Sequence, residues 1–185
     1  KEFGKKMNGY YTEEANVIGV ESRTSSPVSI PRKENLEHTD FQRTLNERGL
    51  EACGLIGHWL SSNNYIPKEA FSSTATRCIQ TWETINSKIN SNAKVSYTND
   101  LYHSSPNIIL NCLNSATEDV VFLTAHNPGI GEFAEKICKS PPIHYRFLGY
   151  PSGATTVVDF NVSSWRQLKF SSGDLMDFVI PSELK

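Results

Sequence analysis

The sequence predicts an α/β fold with a mostly parallel sheet. Strand-like and helix-like segments alternate through its middle, and one segment, "DVVFLTA", is apolar without alternation, as a strand covered on both faces must be. Two turn-rich junctions, Ser72–Arg77 and His126–Gly129, each stand between a strand pattern and a helix pattern.

In chain order, Lys1 to Thr39 is rich in Ser, Pro, Thr, Lys and Glu, and "SRTSSPVSIPRKEN" has the composition of a loop. Within it only "NVIGV", Asn16 to Val20, reads as a short buried strand. Residues 1–15 read as an expression remnant or disordered tail, 16–185 as one domain, and 21–39 as an atypical loop. The segment after Asp40 is regular. "LNERGLEACGLIGHWLSSNN" spaces Leu50, Cys53, Leu55, Ile56, Trp59 and Leu60 as an amphipathic helix, with Asn46 as N-cap and Asn63-Asn64 as its end. "KEAFSS" is a strand ending in a Ser pair, and "TATRCIQTWETINSKI" puts Ile79, Trp82, Ile85 and Ile89 on a helical face. "KVSYTNDLY" reads as strand and turn, and "SPNIILNCLNS" as a short helix capped by Ser105 with Pro106 in its first position. After "DVVFLTA" comes the helix "GIGEFAEKIC". "GATTVVDFNV", with Thr155, Val157 and Asp159 alternating against Thr156, Val158 and Phe160, and "GDLMDFVIP" complete the strands.

A chain of 185 residues fits one domain with a core that needs no staple. Its 38% hydrophobic and 21% charged residues are those of a soluble globular protein, and no apolar run is long enough to cross a bilayer. A net charge of −2 gives no basic field for non-specific nucleic-acid binding, so an anionic ligand needs a local cluster. The scattered Cys53, Cys78, Cys112 and Cys138, with no CxxC pair, read as reduced thiols of a cytoplasmic protein.

Ligands of open α/β sheets collect where strands end and helices begin. Arg77 lies in the first turn of its helix, where a cation opposes the macrodipole unless an anion is bound there. His126 ends an apolar strand at the sharp Asn127-Pro128-Gly129 turn. On spacing alone, a surface arginine and a hydrogen-bonded loop histidine are equally good readings.

The segments "DFQRTLNERGLEACGLIGHWL", "AFSSTATRCIQTWETI", "LYHSSPNIIL", "FLTAHNPGIGEFAEKI" and "YPSGATTVVDF", in this order, resemble the SixA-type phosphohistidine phosphatases of the histidine phosphatase (phosphoglycerate mutase-like) superfamily. The resemblance runs from Asp40 to the C-terminus. It implies a three-layer α/β/α sandwich, no metal and no cofactor, and a phosphate pocket at the C-terminal ends of the strands. It further implies a partner that is a phosphohistidine-containing signalling protein or a phosphorylated small molecule. Arg77, in "SxxxRxxQT", matches the phosphate-clamping arginine, and His126, in "AHNPG", the second pocket histidine, with Asn127 beside it. Arg43 falls at a recurrent arginine position with a structural or ligand role, and His103 on the leaving-group side.

One motif is missing. The superfamily's nucleophile is the histidine of an Arg-His pair at the end of the first strand, and no Arg-His dipeptide occurs in this chain. If "NVIGV" is that strand, "VESRTSS" puts Glu21 and Ser22 at the pair. Arg23 and Arg32 offer charge but no imidazole, and His38 stands too close to the first helix. Two readings stay open: a pseudoenzyme that binds phosphate or a phosphoprotein without turnover, or a segment before Glu34 that is not native sequence. A Rossmann-like nucleotide site is disfavoured, because "NPGIGEF" misplaces its glycines.

Overall fold

The computed structural model describes residues 14–21 and 40–185; for 14–21 the backbone alone is described. Strand β1 (Glu14–Glu21) is followed by helix α1 (Glu47–Ser62), β2 (Glu69–Ser73), α2 (Thr76–Ile89), β3 (Lys94–Thr98), α3 (Pro106–Leu113), β4 (Val120–Ala125), α4 (Gly129–Ile137), β5 (Thr155–Asn161) and β6 (Asp174–Val179). The sheet has six strands in the order β3-β2-β4-β1-β5-β6. The first four in that order are parallel, and β5 and β6 are antiparallel additions at one side. The expected α/β architecture with a mostly parallel sheet is thus the observed one. β1 contains the expected Asn16 to Val20 strand and extends it to Glu14, two residues into the segment read as a tail.

Helices cover both faces. Leu45, Cys53, Ile56 and Leu60 join Trp82, Ile85 and Ile89 of α2 over Ala70, Phe122 and Val157 on one side. On the other, Ile109 and Leu113 of α3 and Ile130, Phe133 and Ile137 of α4 pack on Val121, Leu123 and Val158. β4 therefore sends Phe122 to one layer and Val121 and Leu123 to the other, which is why it reads as continuously apolar. The same two-sided cover buries Thr155, Thr156, Val157 and Val158 alike, so the alternation along β5 marks no solvent face.

The helix ends follow local chemistry. Asn46 caps α1, its Oδ1 accepting from the Gly49 amide at 2.8 Å, and Asn63 is the C-cap. Asn90 closes α2 in the left-handed region at φ 55°, where Asn is tolerated without a glycine. Ser105 stands at the N-cap of α3 with Pro106 next, as expected, but its side chain makes no cap bond; the proline's fixed φ and missing N–H serve there instead. Trp82 and Trp165 are buried, and the Trp165 indole donates to the Glu118 carbonyl at 2.7 Å. The four cysteines are free thiols, three of them buried. No helix among the described residues is long and apolar enough to cross a membrane.

Candidate functional site

The parallel strands end at one level. Ser72 of β2 pairs with Thr124 of β4, Glu21 of β1 pairs with Ala125, and Ser73 pairs with Thr98 of β3. The described residues at and after the ends of β2 and β3 therefore meet around His126, which itself follows β4. This register is what gathers side chains from distant parts of the sequence into one cluster.

Arg77 and His126 are both buried, at 5% and 2% exposure, which removes the surface-arginine reading. The Arg77 Nη2 donates to His126 Nδ1 at 2.9 Å. A guanidinium can only donate, so Nδ1 carries the lone pair and Nε2 carries the proton. Nε2 in turn reaches Ser73 Oγ at 2.9 Å, with Cys78 Sγ 3.4 Å away. The imidazole is thereby held neutral, in one tautomer, with its lone pair committed.

Burial first, then the neighbouring Arg77 charge and His103, push the His126 pKa down from 6.5 to about 3, against a weaker opposite pull from Asp40. The sign for stability follows. Between 6.5 and about 3 the unfolded chain takes up a proton that the folded chain refuses. His126 thus contributes stability that is complete above pH 6.5 and is lost as the pH falls towards 3. A slope of up to about 1.4 kcal/mol per pH unit is expected in urea titrations across that window, flattened in His126→Gln.

The centre of the cluster is a residue the sequence reading passed over. Asp40 receives Arg77 twice: Nη1 donates to its main-chain carbonyl at 2.6 Å and Nη2 to its carboxylate Oδ2 at 3.1 Å. The Tyr102 hydroxyl donates to the same Oδ2 at 2.9 Å, His103 Nε2 stands 3.8 Å from it, and Arg43 Nη1 lies 3.4 Å from Oδ1. Burial alone pushes the Asp40 pKa up, but the Tyr102 hydrogen bond, Arg77 and Arg43 together hold it below the usual carboxylate range.

Tyr102 and His103 reach this point because the loop after β3 is pressed against the start of α4. A Cβ on Gly129 would come within 1.8 Å of the Ser104 carbonyl oxygen, so only glycine admits this approach. The Tyr102 ring then meets His126 edge-on with centroids 5.1 Å apart, and the His103 ring lies 5.6 Å from that of His126. His103 takes a left-handed backbone, φ 51°.

The expected site residues therefore fall into three groups. Arg77, His126, Arg43 and His103 converge on one spot. Asn127 adjoins it, but its side-chain amide donates to the Tyr150 carbonyl at 2.7 Å and so ties the loop before β5 to the site. Ser22, like Arg23, Arg32 and His38, lies outside the described residues; β1 ends at Glu21, opposite Ala125 and one residue short of the level of His126. Asp40, Tyr102 and Ser73 were missed, although each stands within four residues of a singled-out residue. Among the described residues, no group of three His, Cys, Asp or Glu side chains is placed to hold a metal ion.

An open sheet with this strand order and a cluster at its strand ends define the class: the chain has the phosphoglycerate mutase-like fold. Within that class it has the architecture of SixA. The structure of the protein histidine phosphatase SixA complexed with tungstate matches 92% of this chain and 99% of that one, with a TM-score of 0.71 at 18% identity. Phosphoglycerate mutase from Plasmodium falciparum matches 89% of this chain and 90% of that one, with a TM-score of 0.58, also at 18% identity. In sequence, an uncharacterized protein of Mycobacterium leprae is 26% identical over 167 residues, which are 86% of this chain and 98% of that protein. No family profile matches the chain. Identities at this level establish the fold and leave activity to the chemistry of the site.

Proposed function

We propose that this chain acts on phosphohistidine. In this reading it captures a phosphohistidine-bearing signalling protein by the phosphoryl group and, like the phosphatase whose fold it shares, removes that phosphate in the cytoplasm. The observation that carries the reading is the convergence of Arg77, Arg43, Tyr102 and His103 on a single anionic group beside His126. Two guanidinium groups, a hydroxyl and an imidazole around one oxyanion are the donor set that phosphoryl transfer uses to hold charge on the transferring group.

Hydrolysis breaks the P–N bond, places a water oxygen on phosphorus and returns a proton to the leaving imidazole. Arg77 suits the clamp, since its planar fork can hold two phosphoryl oxygens at once. His126 contributes as a neutral positioning group for the Arg77 fork; with Nδ1 bonded to Arg77, its Nε2–H facing Ser73 Oγ and a depressed pKa, it is a poor proton acceptor. His103, with a side chain 55% exposed beside the Asp40 carboxylate, serves on the leaving-group side in this reading.

A second reading is favoured by one fact of the sequence. The residue after β1 is Ser22 rather than histidine, and Ser22 brings no base of its own. Binding of a phosphorylated partner without turnover is then the function, with small phosphorylated molecules as alternative ligands.

The deciding experiment is phosphate release from a phosphohistidine protein by the full chain and by His126→Ala. Turnover that falls by about 100-fold in the variant is expected for the phosphatase, the size typical of misplacing a substrate-positioning clamp, here the Arg77 fork that His126 orients. Saturable binding with no release in either protein would establish the second reading. Failure of both release and binding would remove both.

A further inference from the structure

The Arg77 fork, which the reading above assigns to a phosphoryl group, is already filled from within. Nη2 is shared between His126 Nδ1 and the Asp40 carboxylate, and the Tyr102 hydroxyl points at the same carboxylate oxygen. Nothing about a purely structural ion pair calls for so many donors. One guanidinium and one carboxylate can satisfy each other in a two-bond pair. Here the carboxylate instead gathers Arg77, Arg43, Tyr102 and His103 from three separate stretches of chain, at the strand ends where ligands of this fold class sit.

We propose that the Asp40 side chain is an internal stand-in for the phosphoryl group, an occupant that a ligand must displace, and that it thereby sets which anions the pocket accepts. This rests on the reading of the cluster as a phosphoryl pocket. The two Arg77 bonds to Asp40 differ in kind. The bond to the main-chain carbonyl, at 2.6 Å, fixes the guanidinium to the backbone and survives any movement of the side chain. The bond to Oδ2 is exchangeable, because the Asp40 side chain is 34% exposed and can turn to water. Arg77 therefore stays in place when the carboxylate leaves.

The consequence is selectivity by charge. A carboxylate brings one negative charge and two oxygens; a phosphoryl group brings close to two charges and three terminal oxygens. An incoming monoanion replaces like with like and gains nothing over an occupant already tethered at the site. A dianion engages Arg77, Arg43 and the hydroxyl more strongly than the carboxylate it expels. Asp40 is thus a specificity-determining residue, distinct from the groups that hold the ligand.

The test is calorimetric titration of the full chain, wild type and Asp40→Asn, with inorganic phosphate and with nitrate, folding being checked by circular dichroism. Asparagine keeps the shape and removes the charge. Asp40→Asn is expected to bind phosphate about tenfold more tightly, because the binding-competent fraction rises, and to acquire measurable nitrate binding. Arg77→Ala in the Asp40→Asn background is expected to abolish both. Phosphate binding by the wild type with equal or weaker binding by a folded Asp40→Asn would overturn the proposal and make Asp40 a positioning residue for Arg77, leaving the phosphoryl pocket intact. Absence of phosphate binding in both folded proteins would overturn the proposal and the pocket reading together.

Discussion

Replacing Arg77 with alanine is expected to have the largest effect on phosphate binding of any single change in the site: affinity lost by at least about 100-fold, with stability lowered by about 2 kcal/mol. Three groups lose a donor at once, namely His126 Nδ1, the Asp40 carbonyl and the Asp40 carboxylate, which keeps Tyr102 and Arg43. A fully buried pair broken on one side costs about 3–5 kcal/mol; the lower figure reflects the exposure of Asp40, which lets water take over part of the lost interaction. Arg77→Lys keeps the charge but places one ammonium where two guanidinium nitrogens now serve separate acceptors, so it is expected to recover a minority of either loss. Urea denaturation and phosphate titration of the three proteins measure both effects. Stability and affinity unchanged in Arg77→Ala would show that the cluster is not the organising feature it is taken to be.

Gly129→Ala is expected to damage stability at least as much without removing any polar group. Its new Cβ would stand 1.8 Å from the Ser104 carbonyl oxygen, a backbone atom that cannot swing aside as a side chain can. Either α4 or the loop after β3 has to move. Overpacking of this kind costs about 3 kcal/mol, at the upper end of its usual range. The movement separates Tyr102 and His103 from His126, so phosphate binding weakens along with stability. Gly131→Ala is the milder control, since its nearest contacts, Asn127 Oδ1 and Tyr150 Cβ, are side-chain atoms at 3.0 Å. Thermal unfolding of the two variants separates them; equal melting temperatures would contradict the close approach.

The fold was legible in the sequence because its main signals are local. The apolar run at β4, the Asn46 cap, the Pro106 start of α3 and the helical spacing in α1 and α2 are each set by neighbours within one or two turns. The antiparallel placement of β5 and β6 was not legible, because strand direction and order depend on pairing across the sheet. Nor was the full burial of β5, since covering on both faces removes the contrast that alternation is read from.

The site was legible in part for the same reason. Arg77 and His126 announce themselves by standing at strand-to-helix junctions. Asp40 does not: an aspartate three residues before an arginine reads as an exposed pair, and its bond to Arg77 spans 37 residues of sequence. Tyr102 was overshadowed by the adjacent His103, although the hydroxyl, at 2.9 Å, is nearer to the carboxylate than the imidazole, at 3.8 Å. Both omissions are cases in which the partner, and not the residue type, defines the role.

In the function proposed above, the strand-end cluster around Arg77 and His126 is a seat for a tetrahedral oxyanion. A crystal of the chain grown with tungstate tests it most directly, because the anomalous signal of tungsten locates the anion without reference to any assumed site. One strong peak is expected within hydrogen-bond distance of Arg77, beside His126, with the Asp40 side chain turned away from Nη2. Tungstate bound elsewhere, with the Arg77–Asp40 pair intact, would contradict it.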